Sequence, residues 1–320
     1  FTMRIIRNLL SYKATLPAAA VLAEHLAEKP FAPVLETHRS AGGFINNPHT
    51  GKLVSPIAGG YSFRFRFDCK PLSIKAIKLA HREQEKLCEE KLQRPHTKEE
   101  SAALKEQIIA DLIKATLPER TEIDAFYHIE SRTLLMPTTS KDLAARVVGG
   151  LIEACGAVET STIHVSDVKG GLTTRLRIYF AGGEEEAFDG FKIGDSVSMK
   201  GETGKASFDL GNLDHAKRGI VEALDARMQA ERLALVHADA VSFKLTKDFH
   251  LRGIEVIGQE DEEEQNFGTM AEHWTHSAGV QVLLLVAVIQ ALCDLFGYKE
   301  PVPGAAPAAD PAAEQDGEAD

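Results

Sequence analysis

Lys75, Lys78, Arg82 and Lys86 recur at spacings of three, four and four. On an α-helix that spacing places all four cations on one face. Such a face can neutralise the charges of a polyanion, and it stands out because the chain as a whole is acidic, with a net charge of −11. Residues 1–82 nevertheless hold 12 Lys and Arg against 4 Asp and Glu, a local balance of +8. Cations kept in one region of an acidic protein suggest a surface for a polyanion, with non-specific contact discouraged elsewhere. A solvated face of an exposed helix would show the same spacing.

Other chemistry is weakly marked. There is no Walker loop, no Gly-x-Ser-x-Gly and no His-Glu-x-x-His. His273 and His276 would share one side of a helix and could take part in a zinc site, but a third ligand would be needed. The run Glu260 to Glu264 could suggest a two-metal nuclease, yet catalytic carboxylates usually converge from separate elements, and adjacent acids mostly face water. His237, Asp239 and His250 come with no nucleophile. The pairs Gly42-Gly43, Gly59-Gly60, Gly149-Gly150, Gly170-Gly171 and Gly182-Gly183 lack dinucleotide-site spacing and are expected in turns or at element ends. Cys69, Cys88, Cys155 and Cys293 form no Cys-x-x-Cys pair, so reduced structural thiols are expected. No cofactor and no metal are expected.

The elements that must position the cations follow from periodicity. Residues 4–12 read as a strand and Pro17 opens a short helix to Lys29, followed by a loop from Pro30 to Gly60. Tyr61 to Phe67 alternates strictly, with Tyr61, Phe63, Phe65 and Phe67 on a core face and Arg64 and Arg66 on the other. Those arginines reach solvent, line a charged surface or pair with acids. Pro71 opens the long amphipathic helix that carries the basic stripe, ending at Pro95. Thr97 and Glu100 make a capping box for a second helix to about Leu117. The two form an antiparallel hairpin. Beyond it, Ala125 to Met136 reads as one or two strands, and Ser140 caps a helix to about Ala154. Residues 162–180 read as strands, with Arg175 and Arg177 alternating with apolar residues, before a Gly- and acid-rich loop. Asp214 to Arg232 reads as a helix with Ile220, Val221, Leu224 and Met228 on one face, and 233–257 as a pair of strands.

The chain is long enough for two or three domains, and 44% hydrophobic with 26% charged residues describes an ordinary globular protein. Phe1 and Thr2 precede Met3 and are set aside. No basic stretch leading into an apolar one opens the chain, so secretion is not expected. The apolar stretch Ala278 to Leu292 is shorter than the ~20 residues that span a bilayer, and reads as a buried helix or one facing a partner subunit. Residues 301–320 hold four Pro, seven Ala, five acids and no Lys or Arg, the composition of a disordered acidic tail.

Blocks of this sequence fall in an order and at spacings that resemble the RdgC family, recombination-associated DNA-binding proteins of bacteria. They are Ile6-Arg7-Asn8-Leu9, the charged hairpin, Leu104-Lys105-Glu106 leading to Leu117-Pro118, and Thr133-Leu134-Leu135-Met136 followed by Ser140-Lys141. Later come Glu231-Arg232-Leu233-Ala234-Leu235, the strands to Val256, the acidic loop and the closing apolar helix. The likeness covers residues 4–298 and has no single short signature. It implies an α+β subunit with a β-sheet and helix core (3–70 with 119–160), a projecting helical hairpin (71–118) and a second α+β part (161–298), with 299–320 as the acidic tail. It further implies a ring-shaped homodimer, cytoplasmic and nucleoid-associated, that encircles double-stranded DNA without sequence preference and restrains RecA-driven strand exchange. No catalysis and no membrane contact are implied, and single-stranded DNA is a further partner.

On that reading the DNA contacts are Lys75, Lys78, Arg82 and Lys86, with Lys91, Arg94 and Lys98 towards the hairpin end. Lys200 and Lys205 match a basic stretch of the family, and Arg64, Arg66, Arg175 and Arg177 rank second. Where the family can carry an aromatic residue after the hairpin's Leu-Pro, this chain has Glu119, Arg120 and Thr121, so a tip contact between subunits would rest on charge. Two other readings stay open: a regulator that binds a recombinase directly with little DNA affinity, and a metal-dependent nuclease. The acidic tail could mimic DNA and compete for the basic surface. Deleting residues 301–320 is therefore expected to tighten DNA binding at low salt, as read by fluorescence anisotropy; unchanged affinity removes that role.

Overall fold

A computed structural model describes residues 5–298 except 157, 159, 164–167, 184–186, 203, 212 and 258–267; the tail from 299 and the acidic run 260–264 lie outside the described residues. The first half contains β1 (Asn8–Ala14), α1 (Ala19–Ala27), β2 (Ser40–Ile45), β3 (Val54–Ile57), β4 (Gly60–Cys69), α2 (Ile74–Leu92), α3 (Lys98–Ala115), β5 (Glu119–His128), β6 (Thr133–Met136) and α4 (Lys141–Cys155). The second contains β7 (Thr160–Thr162), α5 (Val168–Phe180), β8 (Phe191–Lys200), β9 (Lys205–Asp209), α6 (Leu213–Asp225), β10 (Gln229–His237), β11 (Val241–Thr246), β12 (Leu251–Val256) and α7 (Met270–Leu295). The fold is α+β. Its 12 strands make one sheet in the order β2-β4-β5-β6-β1-β12-β11-β10-β8-β9, with β3 also on β4 and β7 also on β1. The named strands pair antiparallel throughout.

The aromatic alternation of β4 does what period two requires. Tyr61, Phe63 and Phe65 are buried in a core completed by Leu10 of β1, Leu22 and Leu26 of α1, and Ala144, Val147 and Leu151 of α4. Gly42 and Gly43 lie inside β2 and Gly149 and Gly150 inside α4 rather than in turns; at Gly150 a Cβ would come within 3.0 Å of the Phe65 ring, so the close packing calls for glycine. A second core lies on the other side of the sheet. It joins Leu9 of β1 to Leu233, Leu235, Phe243, Leu245 and Leu251 of the later strands, under Leu172 and Leu176 of α5, Ile220 of α6, and α7.

Helix α7 opens with a capping box between Thr269 and Glu272, and Trp274, Ala278, Val282, Leu285 and Ile289 form its buried stripe. By length and composition it could cross a bilayer, but more than half of its apolar window is buried inside the fold. Buried Gln281 accepts hydrogen bonds from Ile5 N at 3.1 Å and Ile6 N at 3.0 Å, fastening the start of the chain to this helix.

Several expectations need correction. The 30–60 segment contains β2 and β3, and the Gly- and acid-rich stretch contains β8 and β9. Most of 162–180 is helix α5, whose Leu172, Leu176 and Phe180 are buried at helical spacing; a short stretch of alternation fitted a strand equally well. The 214–232 helix stops at Asp225, and 233–257 is three strands, the first starting at Gln229.

Replacing Gln281 by Leu adds apolar surface but strands two backbone donors. It is expected to destabilise the fold by about 1–3 kcal/mol for each donor left unpaired, read by urea denaturation.

Candidate nucleic-acid interface

Helix α2 is capped by Ser73, whose Oγ accepts from Ala76 N at 3.4 Å, and α3 carries the full Thr97–Glu100 capping box. The two helices pair through polar contacts. His81 Nε2 lies 2.9 Å from Ser101 O, Ser101 Oγ donates to Glu85 at 2.8 Å, and Glu89 accepts from His96 N at 3.2 Å. Helix α2 buries no residue and α3 only Ile108, so the pair stands clear of both cores. Glu85 and Glu89, neighbours of the stripe, are thereby engaged with the opposite side of the hairpin. Lys75, Lys78, Arg82 and Lys86 are all exposed and make no ion pair among the described residues. They cover about 16 Å of helix axis at ~1.5 Å per residue, about five phosphate steps of one DNA strand at ~3.4 Å each. Lys91 and Lys98 are exposed as expected. Arg94 instead grips Glu100 through two bonds of 2.6 and 2.8 Å.

A second cationic surface lies on the sheet. Register places Lys200, Lys205, Arg232, Lys244 and Arg252 on one face of β8–β12, among Ser196, Ser198, Ser207 and Ser242. The opposite face is the core under α5, α6 and α7. Lys200 sits directly across from Lys205, and Lys244 directly across from Arg252. Like charges facing each other across strands cost about 0.2–1 kcal/mol each. The buried Nε of Arg252 has no hydrogen-bond partner, and Arg232, Lys244 and Lys205 make no ion pair among the described residues. Acids on this face, Asp209 and Glu255, stand opposite Ser196 and Ser242. His250, in the adjoining turn, has its pKa lowered first by burial and then by Lys141, with Asp248 opposing and Arg252 adding a smaller push in the same direction.

Lys244, Arg232 and Arg252 were missed from sequence. Each directly precedes or follows a core leucine, so the period-two rule applied to 229–256 would have found them. Other cations prove to be internal. Arg64 pairs with Glu122 at 2.9 Å and Asp124 at 3.5 Å; Arg66 donates to Asp68 at 2.8 Å and lies over Phe31. Lys70 is buried and donates to the carbonyls of Leu35 and Glu36. Arg175 caps carbonyls of Ala187 and Leu295, and Arg177 caps that of Leu224; neither lies on a strand. Glu119, Arg120 and Thr121 open β5, opposite Cys69, Asp68 and Phe67. They are therefore at the foot of the helical pair, beside the highly exposed Leu117 (85%) and Ile74 (71%), rather than at its bend. Among the described residues no group of three or more His, Cys, Asp and Glu is placed to hold a metal ion.

A family model described as "Putative exonuclease, RdgC" matches residues 5–299. "Recombination-associated protein RdgC" of Neisseria gonorrhoeae (strain NCCP11945) is 25% identical over 289 residues, covering 89% of this chain and 94% of that protein. The protein of the same name from Neisseria meningitidis serogroup B (strain ATCC BAA-335 / MC58) is also 25% identical over 289 residues.

The hairpin bend carries its own electrostatic signature. The Arg94 guanidinium, helped by the Thr97 backbone, holds the Glu100 carboxyl down at about 2. Because the folded pKa is depressed, the contact is in place above the ordinary carboxylate value of about 4.3 and is lost only as pH falls through the folded one. Carboxyl NMR is expected to show Glu100 titrating near pH 2. Titration near the ordinary value would mean that Arg94 is unpaired in solution and available to a phosphate.

Proposed function

The chain belongs to the RdgC family, and from that premise we propose that it binds double-stranded DNA without sequence preference and thereby restrains RecA-type strand exchange. The observation that carries the reading is the pair of cation–cation contacts across strands, Lys200 with Lys205 and Lys244 with Arg252. Facing cations gain nothing from each other; a polyanion laid on the face relieves both pairs. Serine hydroxyls between the cations suit phosphate and sugar oxygens, contacts that fix position and carry no sequence information. The stripe on α2 supplies a second, unpaired row.

Assembly follows the same reading. A homodimer closed into a ring would let modest phosphate contacts add along one duplex. Exposed Leu117 and Ile74 beside Glu119, Arg120 and Thr121 give a subunit contact at the hairpin foot an apolar component alongside charge. Within that assembly, residues 71–118 would act as a tip, 3–70 with 119–160 as a centre and 161–298 as a base, in a cytoplasmic protein associated with the nucleoid.

The test is fluorescence anisotropy on a 30-base-pair duplex of arbitrary sequence (about 30, chosen to span several helical turns) over a salt series. If each subunit neutralises about four phosphates, the log–log slope of a dimer is expected near −7, from about −0.9 per phosphate. Changing Arg232, Lys244 and Arg252 together to Gln is expected to weaken binding by at least tenfold and flatten the slope, with the melting temperature held or raised. An unchanged affinity removes the sheet face from the interface. No binding by the native chain at low salt would favour a regulator that contacts a recombinase directly, and Mg²⁺-dependent loss of the labelled duplex would favour the exonuclease named in the family description.

A further inference from the structure

Helix α6 ends in a Schellman arrangement. Met228 N donates to Ala223 O at 3.0 Å and Arg227 N to Leu224 O at 3.1 Å. That pattern puts a left-handed residue just past the cap, where glycine is favoured because it has no Cβ to clash. This chain places Arg227 there, at φ 60°. Gln93 occupies a comparable position after α2, at φ 54°, but its side chain turns back to cap Glu90 O at 2.8 Å. Arg227 has no such local use: its guanidinium makes no hydrogen bond or ion pair among the described residues, and it is exposed.

Arg227 does line a cavity of about 460 Å³ at the ends of β8, β10 and β11, together with Lys200 and Lys247. Lys247 Nζ holds Glu231 at 2.9 Å, and Glu202 stands on the rim. Three cations against two carboxylates leave the cavity positive, and Lys205 adds to it from β9, opposite Lys200. Glu231's carboxyl is held below its usual range by the hydrogen bond from Lys247 first, and by the charges of Lys247, Lys200 and Lys205 after it. Lys200 also belongs to the cationic sheet face, so the cavity is continuous with that face at its edge.

We propose that this cavity seats one backbone phosphate of a bound DNA strand, with Arg227 as the principal donor and Lys200 beside it; the inference rests on the DNA-binding reading above. A guanidinium offers two parallel donors to a phosphate, which a lysine cannot. The left-handed backbone at 227 is the conformational cost of aiming that fork into the cavity. Glycine would end the helix with less strain and leave the seat empty.

The test uses the full chain with Arg227→Gly and Arg227→Lys. Arg227→Gly is expected to keep or raise the melting temperature, weaken duplex binding about tenfold, and make the dimer's salt slope shallower by about 1.8, the loss of one phosphate contact in each subunit at about 0.9 each. Arg227→Lys keeps the strain and the charge, and is expected to restore the slope and part of the affinity. Native affinity and slope in Arg227→Gly overturn the seat, as does a fall in its melting temperature, which would make Arg227 a fold residue. If sodium phosphate, against NaCl of equal ionic strength, raises the melting temperature of the native chain and not of Arg227→Gly, the cavity takes a free anion and the assignment to DNA falls. Failure of the native chain to bind the duplex is read from its own titration. It takes the inference down through its premise, an outcome distinct from a variant that matches a binding parent.

Discussion

Strand β1 is the constraint on which the structure depends. Its consecutive residues Leu9 and Leu10 are both buried, one in each core, on opposite faces of the sheet. Alternation along a strand makes this arrangement unavoidable once both faces are covered. The same strand joins the halves of the sheet, pairing with β6 along one edge and with β12 and then β7 along the other. The β12 contact is short, registering only Asn8 with Arg252 and Leu9 with Leu251. Gln281 of α7 compensates by holding the amides of Ile5 and Ile6 just upstream. A one-residue slip of β1 would exchange its two leucines between cores and move Asn8 off the cationic face.

Charge in this protein separates by partnership more than by count. The early excess of cations includes Arg64, Arg66 and Lys70, all spent on acids or carbonyls. Arg175 and Arg177 do the work of helix caps, their guanidiniums meeting the carbonyls at the ends of α7 and α6. Among the described residues, the α2 stripe and Lys205, Arg232 and Lys244 of the β8–β12 face make no ion pair. An arginine between core residues carries no mark in the sequence of which fate awaits it. The decision belongs to the residue across the strand, Asp124 for Arg64 and Lys244 for Arg252.

Elements with strong local chemistry were legible. The β4 aromatics, the Thr97–Glu100 box and the Ser140 cap each act over a few residues, and each appears where the sequence places it. The α2 stripe was equally plain, since helical spacing and exposure are both local. Less legible was the second half, for three physical reasons. Arg175 to Phe180 alternates by chance inside a helix whose true period is set by Leu172, Leu176 and Phe180. Strands β8 and β9 are rich in Gly, Ser and Asp and are stabilised by long-range pairing that propensity does not report. Helix α6 stops without a glycine, so Arg227 hid both the helix end and the start of β10.

The facing cations on β8–β9 and β11–β12 also give the protein two opposed responses to its ionic surroundings. Mobile anions gathering over Lys200 and Lys205, or over Lys244 and Arg252, screen a repulsion that the folded chain otherwise carries. Those same ions compete with any polyanion for the face. A crowded ionic medium thus firms the free protein while loosening its hold, and a dilute one does the reverse. Conformational ease and occupancy are thereby coupled, so the surface is least comfortable when empty and most ready to be filled.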